Sequence, residues 1–243
     1  MKPITFNYNK LLWVSVFAIA MAFIETAVVV YLRALYYPQG FQFPLVPIDF
    51  YLAITEIFRE AATLIMLLSI GIFAGKNLAS RFAYFIHAFA IWDIYYYVFL
   101  KLILGWPESL CTWDLLFLIP VAWVGPVITP VILSGTMILL AFCILYFDEK
   151  QPKVKIHLRE WTALIVGSII VITGFCLDYT MFILEEYHFV DVLKISGDAE
   201  FMGYLAQYVP RKFNWFIFIL GEVVILTGIS MFVLRNMKML KSK

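Results

Sequence analysis

Eight ionisable side chains interrupt long apolar segments of this sequence. They are Glu25, Glu56, Arg59, Glu60, His87, Asp93, Asp178 and Glu222. On insertion scales, an ionisable group at the centre of a bilayer-spanning helix costs about 2.5 to 3.5 kcal/mol. Such groups are retained where they bind a ligand, conduct an ion or transfer a proton, so this set is the starting point for a functional site.

Two of the apolar segments carry their polar residues at helical spacing. Glu56 and Glu60 are four residues apart and Arg59 is three from Glu56, so one guanidinium can bridge acids locally or reach a neighbouring helix. A polar stripe with a period of four follows in the next segment: Asp93, Tyr97 and Lys101. We predict that five of these side chains come together between the second and third spans: Glu56, Arg59, Glu60, Asp93 and Lys101.

The depth of these residues predicts one cavity. Most of them lie between the predicted outer boundary and the middle of their segments, and His87 alone lies in the inner half. We predict a polar cavity open to the outer side, lined by the first, second, third, fifth and sixth spans, with His87 as a proton relay. The predicted substrate-binding or ion-binding residues are Glu25, Glu56, Arg59, Glu60, Asp93, Tyr97, Lys101, Asp178 and Glu222.

The signs of the charges do not balance. Six acids accompany one arginine, or three bases if Arg33 and Lys101 reach inward. A single buried acid–base pair can serve only to hold two helices in register. The excess acids, however, must be protonated, hydrated or neutralised by a bound cation or a partner, which favours a functional constellation.

Several catalytic chemistries lack their motifs. Three histidines without HxxxH or HExxH spacing provide neither a di-iron cluster nor a zinc-protease site, and no P-loop, dinucleotide fingerprint or G-x-S-x-G is present. Cys111, Cys143 and Cys176 share no CxxC spacing, so neither a disulfide framework nor a zinc site is indicated. We therefore expect no metal and no cofactor.

The elements that must position these residues are membrane spans. Of 243 residues 63% are hydrophobic and only 14% are charged, which places the chain in the membrane class. Runs long enough to cross a bilayer predict an all-α, six-span polytopic bundle that forms one integral membrane domain over residues 1–243. The predicted spans are about 11–32, 49–74, 82–104, 127–147, 161–184 and 213–234.

Two connections predict outer interfacial helices. Thr112 can cap a short helix near 113–119, before a break rich in proline that includes Pro120. Asp198 can cap a surface helix with an apolar stripe: Phe201, Leu205, Tyr208 and Val209. Glycines two turns apart predict a close approach of the fifth and sixth spans: Gly167 with Gly174, and Gly221 with Gly228.

Charge asymmetry orients the bundle. The segments before the first span, between the second and third, between the fourth and fifth (148–160), and after the sixth carry most of the Lys and Arg, including Lys153. The other connections are rich in acids, including Asp191 and Glu200. The positive-inside rule then predicts an integral plasma (inner) membrane protein with both termini in the cytoplasm. The net charge of +1 argues against a nucleic-acid partner.

Three functions fit this pattern. The leading hypothesis is a translocator of a small solute or ion, possibly coupled to protons, because a cationic or protonatable solute suits the excess acid. The second is a membrane-embedded enzyme that acts on a lipid or lipid-linked substrate from the outer leaflet. The third is a non-catalytic subunit whose unpaired intramembrane charges meet a membrane-protein partner. All three have membrane lipid as a partner.

Overall fold

The computed structural model describes residues 8–119, 121–151, 154–188, 190 and 198–241. Six long helices dominate it, and each is long and apolar enough to span a membrane. They are α1 (Tyr8–Tyr36), α2 (Phe50–Ala74), α3 (Leu78–Leu104), α4 (Ile128–Lys150), α5 (Leu158–Ile183) and, after a short helix, α7 (Trp215–Lys241). The six-span all-α prediction is confirmed.

Local signals explain where two of these helices begin and end. Asp49 precedes α2, and its carboxylate accepts hydrogen bonds from the backbone N–H groups of Tyr51 and Leu52. Asn77 precedes α3 in a reciprocal capping box with Ser80. Gly105 ends α3 with a positive φ of 68°, a conformation that favours glycine.

The predicted interfacial helix over 113–119 is wrong. These residues form strand β1 (Trp113–Phe117), which pairs antiparallel with β2 (Trp123–Pro126). Trp113 and Phe117 in β1, and Trp123 and Val124 in β2, are of residue types that favour strands. The hairpin pairs backbone groups that a short helix would have satisfied internally. Pro120, predicted to break the helix, lies outside the described residues.

The short helix predicted after Asp198 is present as α6 (Ala199–Leu205), and the Asp198 carboxylate accepts from the backbone N–H of Glu200. Its predicted apolar stripe is only partly observed. Phe201 and Tyr208 are buried against the hairpin and the end of α5, whereas Val209 is exposed because the helix ends at Leu205.

The helices form two groups joined by α4. In one group α3 packs against α1 and α2, and in the other α5 packs along α7, with α4 contacting both α3 and α7. Gly167 and Gly221 make the second group tight, as predicted. A Cβ atom built at Gly221 would lie 2.9 Å from the Gly167 carbonyl oxygen and 2.6 Å from a methyl of Val171.

Polar contacts tie the spans together at the end of the bundle where α1 begins and α7 ends, here called the terminal end. Each joins neighbouring spans or their connections: Lys10 Nζ to the Ala74 carbonyl (2.8 Å), Asn77 to Asp148 (2.7 Å), Gln151 to the Asn236 carbonyl (3.0 Å), and Arg235 to Glu160 (2.6 Å). The opposite end, which carries the hairpin and α6, is called the hairpin end.

Candidate functional site

A cavity of about 360 Å³ lies at the hairpin end. Its wall is built from α1, α2, α3, the hairpin, the end of α5 and α6. This volume is at the lower end of the range of small-molecule sites, which is roughly 300 to 1,000 Å³. Seven charged side chains line it: Glu25, Arg33, Glu56, Arg59, Glu60, Asp93 and Asp114.

The first cluster in the cavity is centred on Arg59. Its Nε donates to Glu56 over 2.7 Å on the same helix, and its Nη1 donates to Glu25 on α1. The sequence predicted both a local bridge and a reach to a neighbouring helix, and the guanidinium makes both. Glu60, one turn beyond Glu56, accepts from the backbone N–H of Leu118 over 2.9 Å, which joins α2 to the hairpin.

The second cluster is centred on Asp114 in β1. Asp114 is almost fully buried, and its carboxylate contacts Arg33 over 3.5 Å and accepts from the Tyr97 hydroxyl over 3.2 Å. The Arg33 guanidinium also lies 3.8 Å from the ring centroid of Trp106 and 4.5 Å from that of Phe41. Burial raises the pKa of Asp114 to about 6, although Arg33 and the Tyr97 hydrogen bond act to lower it.

Asp93 connects the cavity to α4. Its Oδ2 accepts a 2.7 Å hydrogen bond from Ser134, and it is half-buried because its side chain borders the cavity. The cavity therefore contains five carboxylates and two guanidinium groups. Glu25 and Glu56 share Arg59, and Asp114 has Arg33, so Glu60 and Asp93 have only neutral donors within the described part of the chain.

Two predicted site residues at the hairpin end lie outside this cavity. Lys101 does not join Asp93, because its Nζ donates to the carbonyls of Gly105 and Pro107 at the end of α3. Asp178 accepts from the Tyr208 hydroxyl and from the backbone N–H of Arg211, which holds the chain before α7 in place. Lys101 therefore caps the end of α3, and Asp178 anchors the loop before α7.

Two further predicted residues lie elsewhere in the bundle. Glu222 accepts a 2.8 Å hydrogen bond from Thr136 between α7 and α4, so α7 contributes none of the described lining residues, contrary to the prediction for the sixth span. His87 lies nearer the terminal end, with Nε2 2.8 Å from Ser15 Oγ on α1. The His87 Nδ1 atom and one Glu222 oxygen have no partner among the described residues.

Two cavity residues were missed as site residues: Arg33 and Asp114. Arg33 follows Glu25 by eight residues, the spacing that places two side chains on one helix face, so periodicity offered a signal. The segment around Asp114 offered no such signal. Asp114 is buried by a hairpin, whereas the sequence predicted a helix there.

The arrangement of the acids is not that of a metal site. Within the described ranges, no three His, Cys, Asp or Glu side chains are grouped closely enough to hold a metal ion. The carboxylates are instead distributed along the wall, where separate donors of an organic cation or of water can reach them. No known protein family, curated protein or solved structure matches this chain.

Proposed function

We propose that the protein binds a small cationic or protonatable solute in the cavity at its hairpin end and moves it across the membrane in exchange with, or together with, protons. The observation that carries this proposal is the charge of the cavity. Five carboxylates share it with two guanidinium groups, and a bound cation supplies the missing positive charge.

The hydrogen bonds in the cavity support a ligand that donates. Glu56, Glu60 and Asp93 each use one carboxylate oxygen, and in the described chain the other oxygen has no protein donor. Glu56 and Glu60 are also each only 7% exposed. These three acids border the cavity, where an ammonium group of a ligand or a proton can reach the free oxygens.

His87 is the proposed proton relay. It lies six residues before Asp93 on α3, which is about 9 Å towards the terminal end at 1.5 Å per residue. Its partner Ser15 is on α1, whose Glu25 borders the cavity. A neutral imidazole with one unpaired nitrogen can accept a proton at that atom and release it from the other.

An enzyme acting on a lipid at the hairpin end is the second candidate. The bundle between the cavity and the terminal end is filled with buried small and apolar side chains, among them Ala18, Leu67, Ala83 and Ile144. An enzyme needs no passage through this region, whereas a translocator must open it transiently, as hydrophobic gates do.

Reconstitution in liposomes tests the proposal. We expect a pH-sensitive dye inside the vesicles to report proton movement when a cationic solute is added, and this signal to be lost in Glu60→Gln. His87→Gln should abolish proton movement but leave solute binding intact. Glu108→Gln is the matched control, because Glu108 is exposed in the α3–β1 connection and does not line the cavity.

The result that overturns the proposal is a protein that moves no proton with any cationic solute tried while it modifies a lipid in the same vesicles. The enzyme would then replace the translocator. A signal that Glu108→Gln reduces as strongly as Glu60→Gln would also contradict it, because proton movement would then not depend on the cavity.

A further inference from the structure

We infer that the solute is an amphiphile in which a primary or secondary ammonium group is joined to an apolar tail, with the ammonium held by the cavity carboxylates around Glu60 and the tail lying against α6. This inference rests on the proposed function and names its substrate class. It follows from the different chemistry of two parts of one cavity wall.

The polar part of the wall comes from α2 and α3. Glu60 is buried, borders the cavity, and has one carboxylate oxygen without a donor in the described chain. Asp93 has the same property and faces the cavity from the adjacent helix. No guanidinium is bonded to either acid, whereas Glu25, Glu56 and Asp114 each contact one. The ammonium is therefore expected at Glu60, and Asp93 is a second acid of the same kind on the cavity wall.

The apolar part of the wall comes from α6, the end of α5 and the α1–α2 connection. Its members are Leu45, Ile48, Ile183, Phe201, Met202 and Leu205. Ile183 and Phe201 are buried, whereas Leu45, Ile48, Met202 and Leu205 are half-buried. A small hydrophilic ammonium ion would leave these four side chains facing water, and an apolar tail would remove that surface from water, which favours binding. The volume of about 360 Å³ limits the tail to a short one.

The carboxylates also select the type of cation. An oxygen that lacks a donor is satisfied by an N–H group, which primary and secondary ammonium groups carry and a quaternary ammonium group does not. A bare metal ion needs several ligands converging on one point, and the described acids do not converge in that way. An N–H-bearing ammonium fits both observations.

Such an ammonium can belong to a free amphiphilic amine or to the headgroup of an aminolipid. Both present the same charged group beside an apolar chain, and both can reach a cavity at one end of a membrane bundle. The experiment therefore includes an arm for each source.

The test measures binding to the purified full-length protein in lipid nanodiscs by isothermal titration calorimetry. The probes are ethylammonium, butylammonium, hexylammonium and octylammonium, with hexanol and hexyltrimethylammonium as controls. We expect the affinity to rise about fourfold for each added methylene until the tail fills the cavity, which follows from about 0.8 kcal/mol per methylene. Hexanol and hexyltrimethylammonium should bind at least tenfold more weakly than hexylammonium.

Two variants assign the two parts of the wall. Glu60→Gln should lower the affinity for every ammonium in the series, whereas Met202→Ser should reduce the gain in affinity per methylene. Met202 is half-buried on α6 and lines the cavity. Glu108→Gln should match the wild type throughout, and the melting temperature of each variant verifies that it is folded.

The lipid arm compares nanodiscs containing ethanolamine-headed lipid with nanodiscs containing only choline-headed lipid. Weaker hexylammonium binding in the former supports the inference with a lipid as the source, and equal binding supports it with a free amine. Competition by choline-headed lipid overturns the requirement for an N–H donor.

An affinity independent of tail length, with Glu60-dependent ethylammonium binding, overturns the amphiphile and leaves the proposed function standing. Binding of no ammonium at all overturns both.

Discussion

Two of the arginine–carboxylate groups at the hairpin end differ in burial. Arg59 lies between Glu25 and Glu56, and its side chain is 21% exposed, whereas Arg211 pairs with Glu185 at the surface, with 60% of its side chain exposed. Removing one partner of a buried pair leaves the other charge without compensation, but an exposed charge is solvated by water. Burial should therefore decide the effect of each substitution.

We expect Arg59→Ala to lower the free energy of unfolding by about 3 to 5 kcal/mol, measured by denaturant titration in detergent. Arg211→Ala should change it little. Equal losses in the two variants would contradict the assignment of Arg59 as the cation that holds two buried acids.

Asp114 predicts a pH dependence of stability. Burial raises its pKa from 3.8 to about 6, so between about pH 4 and pH 6 the folded protein binds the proton more tightly than the unfolded chain does. The free energy of unfolding contributed by this group therefore falls as the pH rises through that window and is constant above it. The groups that face Asp114 are Arg33 from α1 and Asp93, Tyr96 and Tyr97 from α3.

The measurement compares wild type with Asp114→Asn, which keeps the polar shape but does not titrate. Between pH 4 and pH 7 the wild type should lose roughly 2 to 3 kcal/mol relative to the variant, at about 1.4 kcal/mol per pKa unit. A difference that stays constant over this range, or that grows in favour of the wild type, would show that Asp114 is not held in a buried site of this kind.

At the scale of elements, the contact between α5 and α7 depends on glycine. A Cβ at Gly221 would come within 2.9 Å of the Gly167 carbonyl oxygen, so Gly221→Ala must push the helices apart. We expect it to lower the free energy of unfolding by about 1 to 3 kcal/mol. In α4, a Cβ at Gly135 would meet nothing within 4 Å, so Gly135→Ala should be neutral or stabilise by up to about 1 kcal/mol.

Thermal unfolding in detergent compares these two variants directly. Because both substitutions add one methyl to a helical glycine, helix propensity is the same in the two cases. Gly221→Ala melting at or above the temperature of Gly135→Ala would mean that α5 and α7 do not approach as closely as described.

At the scale of the whole molecule, the bundle has two chemically different ends. The positive-inside rule predicts that the terminal end is cytoplasmic and that the hairpin end faces outward. Cys111, which is exposed at the hairpin end, is a natural reporter of that face. Lys153 in the 148–160 connection lies outside the described residues, and the exposed Lys155 in the same connection can report the opposite face.

We expect a membrane-impermeant maleimide to label Cys111 in intact cells. Lys155→Cys, in a background carrying Cys111→Ser, should react only after the membrane is permeabilised. The reverse pattern would invert the bundle and place the cavity on the cytoplasmic side, and labelling at both positions would contradict the number of spans.

The sequence alone determined the six helices, the α6 cap, the glycine contact between α5 and α7, and the set from which most cavity acids come. These are local properties. An apolar run of about 20 residues must be helical in lipid because its backbone groups have no other partners, and spacing along one helix places Glu56, Arg59 and Glu60 together before any tertiary contact forms.

The tertiary structure decided which charges share a cavity. Which residues line the cavity depends on the rotation of each helix about its axis and on the conformation of the connections, and neither is encoded within one segment. Glu222 is turned towards Thr136 on α4, and carbonyls at the end of α3 hold Lys101. Asp114 enters the cavity only because β1 pairs with β2 and buries it beside Arg33, an outcome set by strand pairing between residues about ten positions apart.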